Sequence, residues 1–154
     1  MCREQEPESP SHVAGRQLAE AVKSLVALWF SAVDDVSPRL PPRQVRALEA
    51  VVRRPTLNVT ALAEHLGVGL PTASRLCDRL EAAGLLRRHV RPGDRREVRL
   101  EVTDQGRRLL TDVTERLSAH LAGALDAVPP DRRLRLEQAL RAVHEADGEG
   151  SVQG

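Results

Sequence analysis

Eight prolines from position 38 to position 130 constrain this chain more than any other feature. Proline suits the first turn of a helix but breaks its interior, because it lacks an amide hydrogen and crowds the preceding turn. Between these breaks, apolar residues recur every three or four positions, which is the helical period. From His12 to about Asp35, Val22, Leu25, Val26, Trp29, Ala32 and Val33 keep that spacing. Ser37-Pro38 and Pro41-Pro42 end this first helix and launch a second, which carries Val45, Leu48, Val51 and Val52 and stops at Pro55. Trp29 and Phe30 are the only aromatics among 154 residues. That scarcity argues against a β-sandwich or barrel, and against an aromatic platform for stacking single-stranded bases.

Asn58 is placed to cap a short third helix through Leu66, and Gly67-Val68-Gly69 makes a tight turn. Pro71 opens a fourth helix, which Gly84 closes. The period then changes. Leu85 to Val90 reads as a first strand, Arg91-Pro92-Gly93-Asp94 as a turn, and Val98, Leu100 and Val102 alternate with Arg99 and Glu101 as a half-buried second strand. Thr103 can cap a helix to about Val128, and after Pro129-Pro130 a last helix runs to about Ala146. The fold class is therefore mainly α with a small β-hairpin wing, a winged helix-turn-helix at about 41–103. Residues 1–11 and 148–154 read as disordered tails around one domain at 12–147.

In the fourth helix, Ala73, Leu76, Cys77 and Leu80 share one face, at about 100° per residue. Pro71, Ser74, Arg75 and Asp78 face the other way, flanked by Thr72 and Arg79. A short polar face bearing arginine suits the major groove, where arginine can bind guanine through two hydrogen bonds. A plain amphipathic helix with a solvated face is the bland alternative. Charge separates the two. Residues 71–99 carry a net +4, whereas the whole chain carries only +1. A basic hairpin after a polar helix is the electrostatic footprint of a double-stranded DNA binder. Arg91, Arg95 and Arg96 around the hairpin tip suit a narrow minor groove.

These segments resemble the MarR family of transcriptional regulators from about His12 to Ala146. The resemblance is carried by Arg75 to Leu86, by Asp94-Arg95-Arg96 and by Val102-Thr103-Asp104-Gln105-Gly106, where Val102 stands in place of the usual leucine. It implies a homodimer joined through the terminal helices at about 12–35 and 104–146, with each winged helix reading half of a pseudo-palindromic operator. It implies pairing of Asp78 with a wing arginine, here Arg96, and a small-molecule effector bound between the dimer helices and the DNA-binding lobe. A regulator of this kind is usually a repressor. The apolar stripe of Leu110, Val113, Leu117, Leu121, Ala124 and Val128 independently asks for a covering helix or a second chain.

Other classes find little support. Two cysteines, Cys2 and Cys77, are too few for a disulfide framework, and Cys77 falls on the apolar face of its helix. The five histidines lack metal-ligand spacing, so no metal or other cofactor is expected. No nucleophile elbow, phosphate-cradling glycine loop or dinucleotide fingerprint occurs, so the chain does not read as an enzyme. The apolar run from Leu25 to Val33 is too short for a bilayer, and the glutamates at 4, 6 and 8 are unlike a signal peptide. A cytoplasmic location without membrane attachment is expected. A winged-helix dimer serving as a protein-interaction module, and a metalloregulator, are the competing readings.

Overall fold

A computed structural model describes residues 10–90 and 98–149. Within them lie helices α1 (Pro10–Asp34), α2 (Pro42–Arg53), α3 (Val59–Leu66) and α4 (Leu70–Ala82), strands β1 (Leu86–Val90) and β2 (Val98–Val102), and helices α5 (Asp104–Leu125) and α6 (Pro130–Glu149). The strands pair antiparallel, with Leu86 opposite Val102 and Val90 opposite Val98. This is the mainly helical, hairpin-bearing fold expected from the periodicities. Contacts divide the chain into two compact units, Met1–Leu117 and Ser118–Gly154.

The first unit is organised around Val33, Val45, Leu48, Leu62, Leu80 and Leu100, all at most 2% exposed. Its helix ends follow local chemistry. The Asn58 side chain accepts a hydrogen bond from the Ala61 amide at 2.8 Å and so caps α3. After α4, Gly84 turns left-handed at φ 72°, and the Leu85 amide reaches back to the Leu80 carbonyl at 2.9 Å. This closing turn feeds the chain directly into β1.

Thr103 joins the hairpin to α5. Its hydroxyl accepts from the Gly106 amide at 3.1 Å and donates to the Gly84 carbonyl at 2.7 Å. One side chain thereby caps α5 and ties it to the turn that ends α4. Gly106 packs so closely that an added Cβ would lie 2.3 Å from the Leu85 carbonyl oxygen and 2.6 Å from Val102 Cγ1. The Thr-Asp-Gln-Gly sequence at 103–106 thus supplies one cap and one close approach.

The apolar stripes of α1 and α5 are each covered over only part of their length. The α1 stripe is not all core: Ala32 and Val33 are buried, but Val22 and Val26 are exposed, together with Leu18 and Phe30. The stripe along α5 is also divided. Val113, with neighbouring Leu109, is buried in the first unit's core, whereas Leu117 and Leu121 are half-buried and Ala124 is exposed. Helical period identifies an apolar face but carries no information about what covers it. In the second unit, α5 ends at Leu125, three residues before the expected Val128. Arg133 closes the turn that follows, donating to the carbonyls of Asp126 at 2.9 Å and Val128 at 2.6 Å.

Candidate nucleic-acid interface

The short turn between α3 and α4 begins with Gly67 at φ 63°, which ends α3, and leads through Gly69 into Pro71 in the first turn of α4. Ala73, Leu76, Cys77 and Leu80 are all buried, so the inward face of α4 is the one expected. Burial pushes the Cys77 thiol up from its usual range, the reverse of what a reactive thiolate requires. On the outward side Pro71, Thr72, Arg75, Asp78 and Arg79 are exposed, and Ser74 is half-buried. Arg91, Arg95 and Arg96 lie outside the described residues, and the proposed Asp78–Arg96 brace lies there with them.

Asp78 has a different partner in the described structure. Arg88 on β1 donates from Nη2 to Asp78 Oδ1 at 2.7 Å and from Nη1 to Glu81 Oε2. The Glu81 carboxylate also accepts from the Arg88 backbone amide at 3.3 Å. One guanidinium therefore holds two carboxylates of α4, and hydrogen bonding to Asp78 raises its already high pKa further. Two consequences follow. The base of the hairpin is fastened to α4, and the negative charge of α4 is turned toward β1. Arg75 and Arg79 make no ion pair among the described residues, so the outward face stays positive. Sequence reasoning missed Arg88, although Asp78 and Glu81 three residues apart on one helix were a usable signal for a shared cation.

A second pair sets the register of the hairpin. Arg87 donates from Nε and Nη2 to the two oxygens of Glu101, at 2.9 and 2.8 Å, directly across the strands. The Arg87 hydrogen bond holds the Glu101 carboxyl below the usual carboxylate range. Arg87 therefore has a partner within the hairpin and is not a free cation.

The Arg88 brace should be visible in a double-mutant cycle. Asp78→Ala and Arg88→Ala are expected to be non-additive in urea unfolding, with a coupling of about 0.5–1 kcal/mol, modest because Asp78 is 58% exposed. Strictly additive losses would show that the contact fastens nothing.

The outward face of α4 also borders a cleft of about 270 Å³, in which Thr72, Arg75 and Arg79 meet Pro41, Arg43 and Gln44 from the start of α2. Among the described residues, no group of three or more His, Cys, Asp or Glu could hold a metal, and no helix is long and apolar enough to cross a membrane.

Residues 40–97, from just before α2 to just before β2, match the family model described as the MarR family. A crystal structure of RV1404 from Mycobacterium tuberculosis is 31% identical in sequence with a TM-score of 0.80, covering 92% of this chain and 97% of that one. The chain belongs to the MarR family. A MarR family protein from Bacillus stearothermophilus shares the fold, with a TM-score of 0.74 at 24% identity over 94% of this chain and 99% of that one. An uncharacterised HTH-type transcriptional regulator of Bacillus subtilis (strain 168), YfiV, is 26% identical over 103 residues. That match spans 67% of this chain and 64% of the length of YfiV. In the terms of the MarR family, α3 and α4 are the helix-turn-helix, and β1 and β2 form the wing. The MarR family is one of transcriptional regulators.

Proposed function

We propose that this chain is a homodimeric, cytoplasmic repressor that reads a pseudo-palindromic operator in double-stranded DNA and is released by a small-molecule effector. The observation that carries the DNA reading is the charge arrangement on α4. Arg88 engages both nearby carboxylates, while Arg75 and Arg79 point outward without acidic partners among the described residues. A helix face of that kind is complementary to a groove lined with phosphates. Pro71, Thr72, Ser74, Arg75 and Arg79 are the proposed contacts from α4. Arg91, Arg95 and Arg96 are proposed from the wing on the sequence alone.

Dimerisation is supported by α1, which exposes Leu18, Val22, Val26 and Phe30, and by α6, which exposes Leu134, Leu136 and Leu140. Apolar rows of this extent on a single chain favour a partner. The effector has a weaker basis: PcaV from Streptomyces coelicolor, 26% identical with a TM-score of 0.52, was solved in complex with its natural ligand. Trp29 and Phe30 form an edge-on pair at 5.3 Å on α1, and they are given no ligand role.

Mobility-shift assays with fragments from upstream of the gene test the DNA reading. The wild-type chain is expected to retain one fragment over a scrambled duplex. Arg75→Ala should narrow that preference by about 1–3 kcal/mol, the worth of one bidentate base contact. Equal weakening on both duplexes would make Arg75 a phosphate contact. A chain that retains no duplex would favour the protein-interaction reading.

A further inference from the structure

We propose that the cleft between the start of α2 and the outward face of α4 seats a backbone phosphate of duplex DNA, held by Arg43 and the Gln44 carboxamide alongside Arg75 and Arg79. This rests on the DNA-binding reading and extends the interface to α2, a helix that the sequence pattern marks only as core. Three observations converge on the cleft.

The first is charge. Arg43, Arg75 and Arg79 line the cleft and no carboxylate does. These three arginines lack an acidic partner among the described residues, whereas Arg39, Arg87, Arg88 and Arg141 all have one. Arginines held near one another without counter-charge repel, and an anion between them relieves that repulsion.

The second is a buried polar residue. Gln44 is only 9% exposed, the sole buried polar residue among those described, and it lines the same cleft. A carboxamide lining the cleft can donate as well as accept, and a phosphate oxygen arriving there would accept from its NH₂ group.

The third is the backbone. α2 has 12 residues and starts at Pro42, which has no amide hydrogen, so the first turn brings to the cleft the positive end of the helix dipole and a single uncommitted amide, that of Arg43. The Gln44 and Val45 amides turn back to the Pro41 carbonyl, at 2.8 and 3.4 Å, and among the described residues no backbone carbonyl accepts from Arg43. With the Arg43 amide and guanidinium on one side and the α4 arginines on the other, the cleft presents donors to a tetrahedral anion from two helices. Because a phosphate carries no sequence information, this contact adds affinity and register but no base preference.

The test measures binding of the full chain, by fluorescence anisotropy, to the retained upstream fragment and to an unrelated duplex across a salt series. Arg43→Gln is expected to weaken both duplexes by the same factor, about threefold to tenfold near 0.15 M salt. It should also make the plot of log affinity against log salt shallower by about 0.9 per protomer. Gln44→Glu, nearly isosteric, should weaken binding further while its Tm stays equal to or above that of the wild type, because the new carboxylate lines the same cleft as three arginines. Gln44→Met should give a smaller, salt-independent loss. An unchanged slope in Arg43→Gln, or a loss confined to the upstream fragment, would overturn the proposal. If inorganic phosphate at matched ionic strength raises the Tm of the wild type but not of Arg43→Gln, while duplex binding is unaltered, the seat serves a free anion and the proposal also fails. Should the wild type bind no duplex at low salt, the DNA-binding reading fails with it. Wild-type binding with an indifferent Arg43→Gln overturns the seat alone.

Discussion

Val22→Glu combined with Val26→Glu is expected to convert the dimer to monomers at micromolar concentration without unfolding the chain. Both side chains are exposed on α1, at 53% and 45%, so they contribute little to the core of their own chain. In a two-fold dimer each substitution acts twice. Burying a valine is worth about 1.5 kcal/mol, so four lost burials weaken association by about four orders of magnitude. Like charges facing across the seam add to that loss. Sedimentation should show a 16.9 kDa species for the double variant and twice that mass for the wild type. A variant that remains dimeric would place the interface elsewhere. A wild type that is monomeric would remove the dimer from the account. Since a pseudo-palindrome is read by two half-site contacts, the monomeric variant should also lose most of its operator affinity.

Gly106→Ala is expected to destabilise the first unit by about 1–3 kcal/mol, the range for forcing an extra methyl into a packed site. Helix propensity alone gives the opposite sign, since alanine is better than glycine in a helix interior by about 1 kcal/mol. Sterics decide the outcome here. The added Cβ would press on the Leu85 carbonyl, which is backbone and cannot rotate away, and on Val102 Cγ1. Gly123, on the same helix, has nothing within 4 Å of the place a methyl would take and provides the control. Gly123→Ala should therefore raise the urea midpoint while Gly106→Ala lowers it. A raised midpoint for both would show that the α5–hairpin junction can relax, and the Thr103–Gly106 motif would lose its steric explanation.

These two predictions divide along what the sequence could and could not reveal. Element boundaries were legible where their chemistry is local, whereas the end of α5 at Leu125 fell short of the expected Val128. Asn58 and Thr103 cap the helices they precede, Gly84 adopts the left-handed turn, and the alternation of Leu100 and Val102 places both in the core. The inward face of α4 followed from its period for the same reason. Covering partners were not legible. Val22 and Val26 share the spacing of Ala32 and Val33, yet only the latter two are buried.

The candidate site shows the same division. Arg75 and Arg79 could be placed on an outward face from α4 alone. Arg88 is one of many arginines, and its two carboxylates lie seven and ten residues away on another element, so only the packing of β1 against α4 identifies it. Arg43 and Gln44 stand about thirty residues before Arg75 in the chain. Their shared cleft depends on how α2 and α4 cross, which no period or cap encodes.

The central claim, that two copies of this chain present two α4 helices to one duplex, is tested most directly by the mass of the complex. Sedimentation of the full chain with its retained upstream fragment, in low salt and with the chain in excess, should give one species containing two chains per duplex. A chain that sediments apart from every upstream fragment, at a salt concentration where a basic helix face must hold phosphates, would contradict it.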